Sequence, residues 1–169
     1  MRKIIITDSI PKLTRAAVIG ALYVVLTLAA APISYGPLQF RISEVLCVLP
    51  WFFPESALGL FIGCAVSNLI GGNGILDVVF GSLATLLAAV ATSKIKNKWL
   101  ACLPPAIVNG VVVGALLAYV LSREVFLTAF LTYGAQVFLG ELVVMYVLGL
   151  PLMTFLPKIP FFSAIMEKR

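Results

Sequence analysis

Long stretches of this sequence contain no charged residue. The 25 residues between Arg15 and Arg41 are uncharged, and so are residues 56–76 and 99–122. An α-helix needs about 20 apolar residues to cross the hydrocarbon core of a bilayer, which is about 30 Å thick. The pattern therefore predicts a chain that folds within a membrane, where each buried polar side chain is costly and informative.

Composition excludes several classes of protein. Hydrophobic residues make up 62% of the chain and charged residues 11%, whereas soluble domains contain about 25% charged residues. A chain of 169 residues has room for one domain, 1–169. There is no histidine, the commonest metal ligand, and the cysteines lack a CxxC spacing. We therefore expect no metal, no cofactor and no disulfide, and interpret Cys47, Cys64 and Cys102 as small buried hydrophobes.

Six apolar segments predict an all-α integral membrane protein, a compact bundle of six transmembrane helices. Basic residues cluster before the first segment, between the fourth and fifth, and after the sixth. Six crossings place these clusters on one side of the plasma membrane, and the positive-inside rule makes that side the cytoplasm, together with both termini. The net charge of +5 follows from these clusters, so we expect no nucleic-acid partner. The predicted helices span residues 13–32, 41–54, 55–71, 75–93, 99–121 and 126–151, followed by a cytoplasmic tail at 157–169.

The second segment is short for a crossing. Its 14 residues, 41–54, reach about 21 Å as an α-helix at 1.5 Å per residue. Without this crossing, the cluster Lys94–Lys98 would lie on the outer side, against the charge rule. We therefore expect a short, tilted or locally thinned crossing that ends at a turn near Pro54.

Polar residues collect on the proposed outer half of the bundle. The outer loops are residues 32–41, 71–74 and 121–124, and ionisable or amide side chains lie inside the apolar segments. A charge at the centre of a span costs about 3 kcal/mol, so such groups usually face a cavity or a partner. The candidate ligand-binding residues are Gln39, Arg41, Glu44, Asn68, Asn73, Asp77, Asn109, Tyr133, Gln136 and Glu141.

Each candidate also has a purely structural interpretation. Glu44 and Asp77 lie near helix N-termini, where carboxylates interact favourably with the helix dipole. Asn68 and Asn109 suit hydrogen bonds between helices. An internal ion pair or a hydrogen bond to a neighbouring helix would equally explain Glu141. The sequence leaves these alternatives open.

Small residues recur four apart within the predicted helices. Such spacing lets helices approach closely, either inside the bundle or against another subunit. Packing inside the bundle is the commoner case. The pairs are Ala16 and Gly20, Ala17 and Ala21, Gly59 and Gly63, and Gly110 and Gly114.

The sequence lacks the motifs of catalysis and of energy supply. It has no Gly-rich phosphate loop of the ATPase type, and without histidine it forms no Ser–His or Cys–His pair. An outer polar site without an energy source is typical of a membrane-embedded binding subunit that depends on partners. We therefore expect that the chain is not an enzyme.

Four segments carry a resemblance to a known family. They are GPLQFRISE at 36–44, PESALG at 54–59, SNLIGG at 67–72 and DVVFGSLAT at 77–85. Together with the small residues around Ala17 and Ala21, they resemble the QueT group of substrate-binding S components of energy-coupling factor (ECF) transporters. The resemblance is specific over residues 36–85, and the last third of the chain matches in general character.

The resemblance implies a mechanism that depends on partners. S components have six helices with both termini in the cytoplasm, and they bind a micronutrient near the outer face of the lipid bilayer. A transmembrane coupling protein (T component) and two cytoplasmic ATPase subunits drive toppling of the S component, which delivers the ligand inside. In the QueT group the expected cargo is queuine or a related 7-deazaguanine precursor of queuosine. The coupling protein is expected to dock on the first helix at Ala17 and Ala21.

The candidate residues match the chemistry of this cargo. A 7-deazaguanine ring presents two adjacent N–H donors that one carboxylate accepts together, and Glu44, Asp77 or Glu141 is expected to supply it. Residues 33–41 are expected to form a lid. An S component for thiamine, riboflavin or biotin, and a non-transport scaffold, remain alternatives. The ring carbonyl needs a donor and the ring face an aromatic, for which the candidates are Arg41, Asn68, Asn73, Asn109 and Gln136, and Tyr35, Phe40, Tyr119 and Tyr133.

Overall fold

All regular secondary structure in the described part of the chain is helical. A computed structural model describes residues 2–34, 40–72 and 74–167, with side chains from Ser9 to Met166. These residues include no strand, which confirms the all-α class. The α-helices among them are α1 (Arg2–Ala29), α2 (Ala31–Ser34), α3 (Ser56–Gly71), α4 (Ser82–Lys94), α5 (Lys98–Ala101), α6 (Leu103–Leu121), α7 (Phe126–Val144), α8 (Leu150–Phe155) and α9 (Pro160–Glu167).

Non-α turns join several of these helices into longer helical stretches. Two π-helical turns, Asp77–Gly81 and Met145–Gly149, continue directly into α4 and α8. Four stretches of the described chain are long and apolar enough to cross a membrane by length and composition, and they correspond to the first, fourth, fifth and sixth predicted segments. These are Ser9–Ala29, Asp77–Lys94, Lys98–Leu121 and Arg123–Lys158.

The second predicted segment is a 3₁₀ helix, not the α-helix assumed from its length. Ile42–Trp51 keeps 3₁₀ winding for ten residues, although runs longer than about four residues are uncommon. Pro50 lies inside it, and proline disfavours α-winding because it lacks an N–H and its ring clashes with the preceding turn. At about 2.0 Å per residue the ten residues reach about 20 Å, against about 15 Å for an α-helix. The winding thus lengthens a short segment.

The 3₁₀ helix lies at the centre of the bundle. It contacts α1, α3, α4, α7 and α8, and seven of its ten residues are buried. Around it, α1 packs on α3 and α6 packs on α7, while α4 lies between α3 and α6. Large side chains of the outer helices, such as Leu69, Leu87 and Leu127, are exposed, as in a surface that faces lipid. Polar side chains of the 3₁₀ helix are therefore surrounded by protein.

Small residues bring α1 and α3 into close contact. A Cβ atom added to Gly59 would lie 2.0 Å from the backbone oxygen of Ala16. One added to Gly20 would lie 2.6 Å from the backbone oxygen of Gly59, and one added to Gly63 would lie 2.6 Å from that of Gly20. Two of the small-residue pairs seen in the sequence therefore pack against each other inside the chain.

The remaining two small-residue pairs have different surroundings. Gly110 and Gly114 of α6 face α7, and a Cβ atom added to Gly114 would lie 2.5 Å from the Cα of Gly134. This pair also serves packing within the chain. Ala17 and Ala21, in contrast, are exposed on the outside of α1.

Basic residues of α1, of the start of α5 and of the turn before α9 lie at one end of the bundle. Arg15 of α1 forms an ion pair with Glu55, with 2.5 Å between Nη2 and Oε1. Nearby, Trp51 donates from Nε1 to the backbone oxygen of Ile95 at 2.8 Å, and the ammonium of Lys98 lies 5.6 Å from its ring centroid. Helices α8 and α9 share a groove of about 410 Å³ with the Arg15 turn of α1. We call this the basic end and the opposite one the outer end.

Candidate functional site

The site is built on the first turns of the 3₁₀ helix. With three residues per turn, side chains three apart lie in one row, so Glu44 and Cys47 share a side. In an α-helix the same two residues would be offset by about 60°. Arg41 precedes the helix and extends into the same interior. Its guanidinium lies 3.8 Å from the Sγ of Cys64. The hydroxyl of Thr85, which also bonds Glu44, contacts the same sulfur.

Three neutral donors hold the Glu44 carboxylate, which is fully buried. Tyr23 of α1 donates its hydroxyl to Oε1, and Thr85 of α4 donates to the same oxygen at 3.3 Å. Cys47 donates its thiol to Oε2 at 2.9 Å. A carboxylate offers about four acceptor positions, so three of those on Glu44 are already in use. This residue ties the 3₁₀ helix to α1 and α4.

Arg41 and Asn68 connect the 3₁₀ helix to α3 and to the π-helical turn. The Nη2 of Arg41 donates to the Oδ1 of Asn68 at 2.5 Å, and the Nδ2 of Asn68 donates to the backbone oxygen of Asp77 at 3.0 Å. Arg41 is only 6% exposed and Asn68 is 1% exposed. A guanidinium carries five N–H groups, so this end of the site is rich in hydrogen-bond donors.

Asp77 lies at the outer edge of the cluster, at the first position of the π-helical turn. Such turns occur often at functional sites because they break the regular helical register. Gly81 closes the turn, and a Cβ atom there would lie 3.1 Å from the Nδ2 of Asn68, so glycine leaves room for that amide. The Asp77 side chain is half-buried, and its carboxylate makes no hydrogen bond or ion pair with another residue that the structure describes.

Glu141 of α7 lies deep in the bundle with an acceptor to spare. Its Oε1 accepts a hydrogen bond from the Nδ2 of Asn109 on α6 at 3.0 Å. Glu141 is 2% exposed, and its Oε2 has no hydrogen-bond partner within the described ranges. The hydrogen bond to a neighbouring helix is therefore present, as one interpretation of the sequence expected. It leaves half of the carboxylate unpaired, which is costly for a buried group.

One arginine interacts with three carboxylates in this interior. Arg41 interacts electrostatically with Glu44, Glu141 and Asp77, and the two glutamates repel each other. The structure therefore brings together six of the candidates from the sequence, with Asn68 and Asn109 joining the charged residues. These six are Arg41, Glu44, Asn68, Asp77, Asn109 and Glu141.

The other candidates lie at the periphery or outside the described residues. Tyr133 and Gln136 are half-buried on α7, and the Oε1 of Gln136 has no hydrogen-bond partner among described residues. Phe40 is half-buried, whereas Tyr119 is 48% exposed and stacks under the guanidinium of Arg123. Gln39, Asn73, Tyr35 and most of the lid proposed at 33–41 fall outside the described residues.

Sequence reasoning missed several members of the cluster. Tyr23 and Thr85 bind Glu44, and Thr27 donates to the hydroxyl of Ser43 at 2.7 Å. Tyr23 and Thr27 are four residues apart on α1, so their hydroxyls lie on one face of the helix. This spacing was the sequence signal that could have placed them in the cluster. The three cysteines are buried in the hydrophobic core, but Cys47 and Cys64 also contact polar groups, whereas Cys102 contacts the sulfur of Met153.

An apolar groove of about 340 Å³ runs along the outside of α1 and α3. Ala17 and Ala21 line it together with Ile62 and Val66, whose side chains are also exposed. Its floor is the close contact of Gly20 with α3. The small residues that line the groove permit the close approach of another helix.

Comparison with known proteins gives a family. Residues 13–158 match the model of a protein family described as QueT transporter. A curated relative from Lactococcus lactis subsp. cremoris (strain MG1363), named Queuosine precursor transporter QueT, is 41% identical over 73 residues. That match spans 42% of this chain and 43% of the relative, which is less than half the length of either protein. No solved structure matches the chain.

Proposed function

The chain belongs to the QueT transporter family, and we propose that it is the S component of an ECF importer that captures a 7-deazaguanine precursor of queuosine, such as queuine. Members of this family are transporters and not enzymes, and the several apolar helices make the chain a multi-pass membrane protein. The name of the Lactococcus relative supports the choice of cargo.

One observation carries the proposal: a buried carboxylate oxygen of Glu141 has no partner among the described residues. A 7-deazaguanine offers two adjacent N–H groups on one edge, which would satisfy this oxygen and the second acceptor position of its neighbour Oε1. Glu44 is less suited because three donors already hold it. We therefore assign the ring edge to Glu141 and an organising role to Glu44.

Other residues of the cluster supply the remaining contacts of the ring. Arg41 offers N–H donors for the ring carbonyl next to the N–H edge. Tyr133 lies on α7 eight residues before Glu141, about 12 Å towards the outer end, where a half-buried aromatic suits the flat face of the base. The apolar bundle around these groups excludes water, which strengthens each polar contact.

The topology and the exposed face of α1 suit an ECF assembly. On the proposal, six crossings place the basic end and both termini in the cytoplasm, where two ATPase subunits act through a T component. The T component would dock on the groove of α1 and α3 at Ala17 and Ala21. The second crossing would be the 3₁₀ helix, which is shielded from lipid by the surrounding helices.

Calorimetric titration of the purified chain tests the cargo. The ligands are queuine, its 7-deazaguanine precursors, guanine, riboflavin, thiamine and biotin. Calorimetry is preferable to tryptophan fluorescence, because Trp51 and Trp99 lie at the basic end, away from the cluster. We expect binding confined to the deazaguanines. Binding of a vitamin instead would overturn the cargo, and no binding at all would overturn the assignment as a binding subunit.

A matched pair of variants tests the role of Glu141. Glu141→Gln keeps the shape but presents an NH₂ group to the ring edge, so we expect deazaguanine binding to weaken by about 2 kcal/mol or more. The control is Glu124→Gln, which makes the same change in formal charge at an exposed position of the outer end. This variant should bind the deazaguanine as tightly as the wild type does. Equal affinities for all three proteins would contradict the assignment.

A further inference from the structure

Another apolar groove, of about 410 Å³, lies at the basic end of the bundle. Its floor is formed by Leu46 and Leu49 of the 3₁₀ helix and by Phe53, all of which are buried. Val18 and Leu22 of α1 form one rim, and about half of each residue is exposed. The groove therefore has a protein floor and opens on the apolar surface that faces lipid.

This groove is distinct from the one that carries Ala17 and Ala21. The two grooves share none of their described lining residues. Ile19, which lines the groove at the basic end, lies about 200° around α1 from Ala17 at about 100° per residue. A partner that docks at Ala17 and Ala21 therefore does not require this second groove.

The two polar side chains of the lining stand together at one end of the groove. Thr14 donates its hydroxyl to the backbone oxygen of Ile10 at 3.0 Å, so this proton is in use. Arg15 donates from Nε and from Nη2 to the Oε1 of Glu55, at 2.9 and 2.5 Å. Its Nη1 makes no hydrogen bond to another residue that the structure describes. The groove thus suits an apolar chain that ends in an acceptor of N–H groups.

A second cation lies at the same end of the bundle. Lys158 closes a 3₁₀ turn between two lining residues, Leu156 and Phe161. It is exposed and forms no ion pair with another described residue. Residues 2–15 carry four basic side chains and one acidic one, and residues 158–169 carry three and one. Positive charge therefore prevails here whatever the conformation of the flanking side chains.

Helix α9 forms the other wall of the groove. Phe162, Ile165 and Met166 have the spacing of one helical face and pack on the core, and the first two line the groove. A short amphipathic helix at the charged end of a membrane protein lies at the boundary between headgroups and acyl chains. The groove therefore spans the depth at which a phospholipid changes from polar to apolar.

We propose that this groove binds an acyl chain of an anionic phospholipid, with the headgroup phosphate on Lys158 and the Nη1 of Arg15. A helix of another subunit would use the apolar floor alone, whereas a headgroup also accounts for the cations at one end. These cations favour a lipid with net negative charge over a zwitterionic one. The inference goes beyond the proposed function and does not depend on the cargo.

Native mass spectrometry of the intact chain, released from detergent, measures this binding. The probes are dioleoyl phosphatidylglycerol, an anion, and dioleoyl phosphatidylcholine, which has no net charge. We expect the wild type to bind one phosphatidylglycerol at least about tenfold more tightly than phosphatidylcholine, because two basic groups face the headgroup. Glycerol phosphate, which has the headgroup chemistry without acyl chains, should not displace the lipid at an equal concentration.

Two matched pairs of variants locate the site. Lys158→Gln should weaken phosphatidylglycerol binding about fivefold, the effect of one basic residue near an anionic lipid. Its control is Lys96→Gln, which removes the same charge from an exposed position before α5 and should bind as the wild type does. Val18→Trp should fill the groove and abolish tight binding. Its control is Val120→Trp, at an exposed position of α6, which should keep it.

The outcomes separate the parts of the inference. Equal affinity of the wild type for both lipids, or an equal effect of Lys158→Gln and Lys96→Gln, would overturn the role of the two cations. Tight binding by Val18→Trp, or displacement by glycerol phosphate, would overturn the groove as the place of the acyl chain. A chain that binds deazaguanine but no lipid would overturn this inference and leave the proposed function intact. The wild-type ratio decides the lipid preference even where a variant fails to fold.

Discussion

Replacing Gly59 with alanine should destabilise the protein by forcing α1 away from α3. The added Cβ would lie 2.0 Å from the backbone oxygen of Ala16, 2.7 Å from its carbonyl carbon and 3.1 Å from its Cα. All three atoms belong to the backbone, so rotation of a side chain gives no relief. The helices themselves must move.

The size of the effect follows from the geometry. Ordinary contact for a Cβ begins at 3.4 Å, so the oxygen must move by about 1.4 Å relative to Gly59. Overpacking costs about 1–3 kcal/mol, and a clash of backbone against backbone belongs at the upper end, about 3 kcal/mol. In a chain of 169 residues each kcal/mol changes the melting temperature by about 2–4 °C. We therefore expect Gly59→Ala to melt about 6–12 °C lower.

Thermal unfolding in detergent, followed by circular dichroism, measures this difference. The control is Gly81→Ala, where the new Cβ would meet a side-chain atom, the Nδ2 of Asn68, at 3.1 Å and requires a displacement of only a few tenths of an ångström. The control should melt within about 3 °C of the wild type, since the strain is relieved locally. If Gly59→Ala melts at the same temperature as this control, the packing of α1 on α3 does not limit the size of the residue at position 59.

Two further predictions concern α1. Ala17→Leu and Ala21→Leu should leave ligand binding unchanged but abolish co-purification with a T component and uptake by the assembled transporter. The control is Ala135→Leu, at an exposed small residue on α7, which should leave co-purification and uptake intact. Uptake by the α1 variants at the wild-type rate would refute docking on α1. Tyr23→Phe removes one donor from the buried Glu44 carboxylate and should lower the free energy of unfolding by about 1.5–3 kcal/mol, and an unchanged denaturation midpoint would show that this hydrogen bond contributes nothing.

The sequence predicted the placement of the helices because that information is local. Uncharged runs of about 20 residues are costly anywhere except in lipid or a protein core, so they mark the apolar helices. The ends of α3 and α6 lie within a few residues of the predicted ones, whereas α1 begins at Arg2, well before the predicted start at residue 13. The distribution of lysine and arginine likewise predicted that the first half of α1, the end of α4 and the beginning of α9 lie together. The contact of Arg15 with Glu55 and that of Trp51 with Ile95 agree with this arrangement.

The winding of the second segment was not predictable from hydrophobicity. Apolar content reports burial, and it does not distinguish three residues per turn from 3.6. Pro50 was a weak local signal, because proline disfavours an α-helix interior, yet Pro11 lies inside α1. The consequence for the site is large, since 3₁₀ winding aligns Glu44 with Cys47.

The partners of the acids were beyond the reach of the sequence for a different reason. Hydroxyl residues are tolerated throughout membrane helices because their one proton has an acceptor in their own backbone. The Thr85 hydroxyl lies 3.2 Å from the backbone oxygen of Gly81 and 3.3 Å from Glu44, and these two oxygens share its single proton. Nothing in the sequence marks which hydroxyl faces a carboxylate. The six polar candidates that meet in the interior were identifiable because amides and charges are costly in lipid, whereas Tyr23 and Thr85 carry no such penalty.

On the proposed function, α1 connects cargo and partner through its opposite faces. Tyr23 faces inward and bonds Glu44, while Ala21 and Ala17 face outward, roughly 200° and 240° around the helix at 100° per residue. The close packing of Gly20 on Gly59 leaves α1 little freedom to move without α3. A ligand that moves Arg41, and with it the 3₁₀ helix that carries Glu44, would therefore act on the docking face through a rigid pair of helices. This argues that α1 and α3 respond to the ligand as one unit, and Gly59→Ala, which separates them, should weaken coupling more than it weakens binding.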